Sequence, residues 1–196
     1  MIRQALLAGL CVLGAAAGAQ TAEDVLRRDW QRQAELRFAT EPNLRARPSS
    51  ASREADAAGA VDGVVSEPWG FHTGLDANPW WQVDLQAPVK LDRVVIHNRP
   101  GDFQDRQKTL ALLVSQDGKT WQAAYQHGGA KFGNGDAALT VPCGGREARY
   151  VRVQLAAKQY LHLNEVQVFA VGGADNVALR KPALQSSVSQ WSADHL

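Results

Sequence analysis

From Asn43 onward the chain is built of short apolar alternations interrupted by Gly, Asp, Asn and Pro. Trp81-Gln82-Val83-Asp84-Leu85 alternates with a period of two, and so does much of Leu91-Asp92-Arg93-Val94-Val95-Ile96-His97. That period sends successive side chains to opposite faces, so each stretch predicts a strand with one face in a core. Leu110 to Ser115, Trp121 to Tyr125, Tyr150 to Leu155 and Val166 to Ala170 are further strand candidates. Asp117-Gly118, between two of them, is a hairpin signal, because both residue types tolerate the left-handed backbone of a tight turn. No long helical period occurs between residues 43 and 170. Many short strands with closely spaced turns predict an all-β fold, an antiparallel jelly-roll β-sandwich.

The two ends read differently. Leu26, Trp30 and Ala34 recur at four-residue spacing and Pro42 would stop the period, so residues 20–42 predict a short helical leader. Residues 1–19 read as a signal peptide, with Arg3, an apolar stretch from Ala5 to Ala17, and the small residues Ala17-Gly18-Ala19 for cleavage. The apolar run is short for a bilayer span, so a cleaved leader and a secreted or periplasmic location are expected rather than a retained anchor. At the far end Gly172-Gly173-Ala174-Asp175 reads as a flexible joint. Beyond it, Asn176 to Pro182 with Ser186-Ser187 echoes Asn43 to Pro48 with Ser49-Ser50. The echo divides the chain into a sandwich over 43–170 and, over 171–196, a linker with the truncated start of a second copy. One opening strand cannot fold alone. It would stay disordered, or pair with an edge of the sandwich or of another chain, the last being a route to self-association.

Composition narrows the function classes. Apolar residues make up 45% of the 196, enough for an ordinary core. Loss of Arg3 with the leader takes the basic residues from 21 to 20, against 20 acidic ones. That balance gives no electrostatic case for nucleic acid or an anionic membrane as partner. Cleavage also removes Cys11 and leaves Cys143 alone, so an internal disulfide is excluded. Between Pro142 and Gly144-Gly145, Cys143 reads as a strand-end residue rather than a nucleophile. No Gly-x-Ser-x-Gly elbow, His-Glu-x-x-His or Walker loop is present, and no acid pair stands in a recognisable frame. The chain is not expected to be an enzyme.

An ordered set of motifs then resembles a known family. Ala60-Val61-Asp62-Gly63, Phe71-His72-Thr73 and Asn78-Pro79-Trp80-Trp81-Gln82-Val83-Asp84-Leu85 follow the opening Asn43 segment. Val114 to Trp121, Ala148 to Val153 and Leu163-Asn164-Glu165-Val166-Gln167-Val168 come after them. In that order the segments resemble the discoidin, or F5/8 type C, family of galactose-binding-like domains. His72-Thr73 shortly before Asn78-Pro79-Trp80-Trp81 is most similar to its fucolectin branch, which binds sugars. The resemblance implies a glycan partner held by His72 with Arg99 and Arg106, two guanidinium forks and an imidazole that can address vicinal hydroxyls. Trp69 or Phe103 would cover the sugar's C–H face. Here Phe103-Gln104 stand where fucolectins often carry adjacent Cys residues, and Asp102 lies three residues after Arg99. The alternative is a solvated charge cluster, with both Arg residues paired to Asp102 and Asp105.

The resemblance also implies a structural Ca²⁺ held by Asp62, Glu165 and the carbonyls of Gly59 and Val64, hard oxygen ligands that suit this cation. Alternatively, Asp62 makes only an Asx-type turn before Gly63. Three function classes remain open: a secreted carbohydrate-binding module, an adhesion or protein-interaction module, and the accessory domain of a larger secreted enzyme.

Overall fold

A computed structural model of the chain describes residues 51–65, 69–100, 103–133 and 138–195. The expected signal peptide and helical leader, the opening Asn43 segment and Asp102 lie outside the described residues. Ten strands follow a short helix, α1 (Arg53–Ala57). They are β1 (Phe71–His72), β2 (Asp76–Ala77), β3 (Trp80–His97), β4 (Leu110–Ser115), β5 (Gln122–Gln126), β6 (Leu139–Leu155), β7 (Lys158–Gln159), β8 (His162–Leu163), β9 (Glu165–Ala170) and β10 (Ala183–Gln185). All pairings are antiparallel. The all-β sandwich expected from the alternation is what forms.

Two of the predicted strands are halves of one. The stretches starting at Trp81 and Leu91 join as the 18-residue β3, paired along its length with the 17-residue β6. Register shifts fall between Asp84 and Val89, where Gln86 has φ 69°, and between Leu91 and Arg93, opposite Gly144 and Gly145. Each inserts extra residues on one strand, bends it and resets which parity faces inward. Accordingly Trp81, Val83, Leu85 and Leu91 are buried, but so are Val94 and Ile96. The first half of β3 lies between β6 and β10, the second between β6 and β9, so one ladder wraps a continuous apolar core. Cys143 is buried within β6, its thiol pushed up by desolvation, which removes it as a nucleophile.

Of the outcomes expected for residues 171–196, pairing with an edge of the sandwich is the one seen. Residues 171–175 are an exposed turn, but Asn176 bridges back to Phe169, and its side chain accepts from Val168 N (2.9 Å) and Ala178 N (3.1 Å). Ala178 and Gln185 are fully buried, and β10 pairs with Trp81–Val83 of β3. The C-terminal segment is therefore an edge strand of this same sandwich, supplying an unpaired edge of β3 with a partner in its own chain.

One buried carboxylate ties these parts together. Asp56, on α1 and fully buried, accepts from His72 N (3.0 Å), Gln185 Nε2 (2.7 Å) and Ala193 N (2.7 Å). The helix itself is capped by Ser52, whose hydroxyl accepts from Ala55 N at 3.0 Å. Asp56→Ala leaves the buried His72 amide without its acceptor and takes the carboxylate away from Gln185 Nε2 and Ala193 N, and is expected to destabilise the fold by about 3 kcal/mol. Urea denaturation checks this: a loss under about 0.5 kcal/mol, the ordinary scatter of surface changes, would contradict it.

Candidate functional site

The site forms where α1, β1, β8, the loop after β3 and the C-terminal segment meet. His72 ends β1, is 2% exposed, and pairs in register with His162 of β8. Its Nδ1 lies 2.8 Å from the Thr73 carbonyl and 3.1 Å from Ser189 Oγ. A carbonyl only accepts, so Nδ1 carries the proton and Nε2 is left as an acceptor. No protein group among the described residues hydrogen-bonds Nε2. Burial lowers the His72 pKa to about 4; the Thr73 carbonyl pulls the other way, and the charges of Arg106 and Arg99 add to the lowering. The ring is neutral at physiological pH.

The loop after β3 brings up the two guanidiniums. Buried Asn98 shapes it, its amide donating to the Phe132 carbonyl at 3.1 Å and its Oδ1 accepting from Arg99 N at 2.9 Å. Phe103 adopts a left-handed backbone (φ 72°) and projects with 48% exposure before the 3₁₀ turn Gln104–Thr109. The side chains then make a closed circuit. Trp69 meets His72 edge-on at 5.9 Å, and the Arg99 guanidinium lies 4.9 Å from Trp69 and 5.5 Å from Phe103. Arg106 lies 4.2 Å from Phe103 and 5.1 Å from Tyr160, and Tyr160 returns to His72 at 5.5 Å. All five sequence-predicted contact residues are brought together.

Arg106 is partly buried, its pKa lowered chiefly by desolvation. It stacks on rings but makes no hydrogen bond or ion pair among the described residues. Asp105, one of its expected partners, faces Lys108 instead at 3.9 Å. Three site residues escaped the sequence reading. Tyr160 follows β7, and nothing in its flanks marks it. His162, on β8, is fully buried with its ring 5.1 Å from that of His72. Trp191 packs 4.7 Å from His72, from the segment that follows β10.

The second predicted constellation sits at the Asp62-Gly63 turn. Asp62 Oδ1 accepts from Val64 N at 2.7 Å, the Asx-type turn, and Gly63 takes φ 89°. Glu165 is fully buried, with Oε1 accepting from Gly63 N at 3.2 Å and Oε2 lacking a partner among the described residues. Burial, and then the Asp62 charge, raise its pKa to about 8. Gly59 lies behind the turn, so close to Gly70 that an added Cβ would sit 2.2 Å from the Gly70 carbonyl oxygen, while Val64 is exposed. Two facing carboxylates with one orphaned buried oxygen call for a proton or a cation, and such a hard-oxygen set fits Ca²⁺. Among the described residues no group of three or more His, Cys, Asp and Glu gathers, so backbone carbonyls would complete the shell.

Comparison with known proteins agrees with this geometry. The F5/8 type C domain profile matches residues 45–166. The chain is 36% identical over 103 residues to fucolectin-6 of Anguilla japonica, covering 51% of this chain and 53% of that one. It is 32% identical over 101 residues to a pentraxin fusion protein of Xenopus laevis, covering 50% of this chain and 24% of that protein. The chain thus spans about half of one relative and a quarter of the other. Among solved structures, a fucolectin from the serum of Morone saxatilis superposes with TM-score 0.54 at 25% identity, covering 62% of this chain and 43% of that one. The lectin domain of lectinolysin, complexed with Lewis B antigen, superposes at 0.50 and 32% identity, covering 67% and 97%.

The buried, Nδ1-protonated His72 makes a spectroscopic prediction. In long-range ¹H–¹⁵N spectra its ring should stay neutral down to pH of about 4, and a midpoint near the ordinary value of about 6.5 would contradict the geometry. Since the folded pKa lies below the unfolded one, the unfolded chain binds the extra proton first. Stability is therefore complete above about 6.5 and falls as pH drops from there through about 4.

Proposed function

The chain belongs to the F5/8 type C family, and from that premise we propose that it is a non-catalytic carbohydrate-binding module for a neutral, fucose-like terminal sugar. The observation that carries the proposal is the juxtaposition of a bare acceptor and unspent donors. His72 Nε2 has its lone pair available, and the Arg106 fork beside it makes no hydrogen bond among the described residues. A sugar hydroxyl is both donor and acceptor, so one hydroxyl can donate to Nε2 while accepting from a guanidinium N–H. Arg99 would take the neighbouring hydroxyl, and the faces of Trp69 and Phe103 suit the C–H side of a pyranose. A neutral imidazole is required for this arrangement, and burial keeps it neutral.

The relatives support the reading. They include a fucolectin, a fucose-binding module of Streptococcus pneumoniae with TM-score 0.52 and 26% identity, and a lectin domain seen with Lewis B antigen. The role is one of recognition outside the cell, in keeping with the signal-like first residues. No described helix is long and apolar enough to cross a membrane. A Ca²⁺ held by Asp62, Glu165 and the carbonyls of Gly59 and Val64 would neutralise the buried Glu165 and fix the loop beneath the site.

L-fucose titrated into the protein at neutral pH by calorimetry tests the proposal. Binding is expected, Arg106→Ala should weaken it roughly tenfold to a hundredfold, the loss of charged hydrogen bonds, and the melting temperature should barely move. A folded wild type that binds neither fucose nor galactose would overturn the reading. Affinity should be flat between pH 8 and 5 and drop below about 4, where His72 protonates and loses its acceptor. For the cation, added Ca²⁺ should raise the melting temperature of chelator-treated protein, and Glu165→Gln should abolish that rise. A rise of equal size in the variant would remove Glu165 from the shell.

A further inference from the structure

The outer face of the sheet built on β3 and β6 holds a second set of arginine and tryptophan side chains, none of them in the His72 circuit. Trp81 and Val83 are in the core, so the period of two turns Trp80 and Gln82 of β3 outward. Likewise Val151 and Val153 of β6 are buried, and Arg152 between them faces out, in register with Gln82. Trp121 comes in from the position just before β5, and all four outward side chains are half-buried. With exposed Arg53 of α1 they form a ladder of alternating cations and indoles. The Arg152 guanidinium lies 3.9 Å from the Trp121 ring centre and 4.3 Å from that of Trp80, and the Arg53 guanidinium lies 5.5 Å from Trp80.

What the ladder lacks is an acid. Arg152 spends the fork of Nε and Nη2 on Gln82 Oε1, at 3.2 and 2.7 Å, and Arg53 Nε donates to the Gln185 carbonyl. Both acceptors are neutral, and neither guanidinium makes an ion pair among the described residues. Asp84, two residues along β3 from Gln82, gives both its oxygens to Arg149 instead. Burial alone lowers the Arg152 pKa, with no carboxylate raising it. The groups left over are all donors: Nη1 of Arg152, the terminal nitrogens of Arg53 and the indole N–H groups of Trp80 and Trp121 have no acceptor among the described residues. Arginine and tryptophan side chains only donate, so the ladder offers a ligand positive charge and N–H groups and nothing that accepts.

We infer that this outer face of β3, β6 and β5 is a second binding site, for a glycan bearing carboxylate or sulfate groups, with Arg152 as its anchor and Arg53 as the flanking cation. The complementary group to a donor-only cationic face is one that is negative and only accepts. The indoles beside the cations add contact area for the C–H surface of a pyranose, which a bare anion does not have. With 21 basic and 20 acidic residues the chain has no general pull on polyanions, so the attraction is local to these two guanidiniums. The site does not depend on what binds at His72.

The experiment titrates a chondroitin sulfate hexasaccharide into the full chain at low ionic strength by calorimetry, beside a neutral dextran hexasaccharide and a glutamate hexapeptide. The acidic sugar is expected to bind at least about tenfold more tightly than either control and to weaken as salt is added. Arg152→Gln should weaken it roughly tenfold, the loss of a charged hydrogen bond, and Arg53→Gln about threefold, with thermal melts confirming that both variants fold. Because Arg152 also packs between two rings, the wild type supplies a readout that needs no variant: the Trp80 and Trp121 indole ¹H–¹⁵N signals should move during the titration. Dextran binding as tightly would overturn the inference by removing charge as its basis, and peptide binding as tightly would make the face a protein-docking surface instead. A hexasaccharide that does not bind, indole signals that stay still, or full affinity in Arg152→Gln would each overturn it as well. Displacement of the hexasaccharide by L-fucose would put the acidic sugar at His72 and sink the second site.

Discussion

The Asp56 carboxylate is the constraint on which the rest of the molecule depends. It is fully buried, yet all three of its donors are neutral: two backbone amides and the Gln185 side chain. A buried charge met by neutral donors is tolerable only when the donors are fixed in place, because each must replace water. Meeting that demand locks α1 against β1, β1 against β10, and the end of the chain against both. His72 inherits its position from this lock, since its own backbone N–H is one of the donors. The cluster around His72 is thus held at its rear by a buried acid.

The sandwich was legible because its causes are local and repeated. Period-two alternation around Trp81, Val94, Leu112 and Val151 marks strands wherever one face is buried, and all four residues are in the core. The union of two predicted strands into β3 was not legible, because bulges reset the parity that the reading relies on. Asp56 looked like any surface acid, for a burial produced by donors at positions 72, 185 and 193 leaves no trace nearby in sequence. Motif order and the loop after β3 named five residues, His72, Arg99, Arg106, Trp69 and Phe103, that the fold brings together. For the C-terminal segment, the echo of the Asn43 segment left disorder and edge pairing both open. The structure seats that segment in the first sandwich, where Asn176 caps it and Asp76 gathers its serines.

The arginines of the fold are held in two ways. On the sheet, Arg149 is gripped by both oxygens of Asp84 at 2.8 Å, and Arg152 gives its edge to Gln82 while lying between Trp80 and Trp121. Those forks are spent. Arg106 is held differently, by the faces of Phe103 and Tyr160, which steady the plane of a guanidinium without consuming its N–H groups. A carboxylate in their place would have neutralised the charge and occupied the N–H edge. Burial does most to keep His72 neutral, and the Arg106 charge, held nearby by its aromatic support, adds to it. Donor, acceptor and apolar wall are then set by one packing arrangement, and loosening any ring of the circuit should disturb all three together.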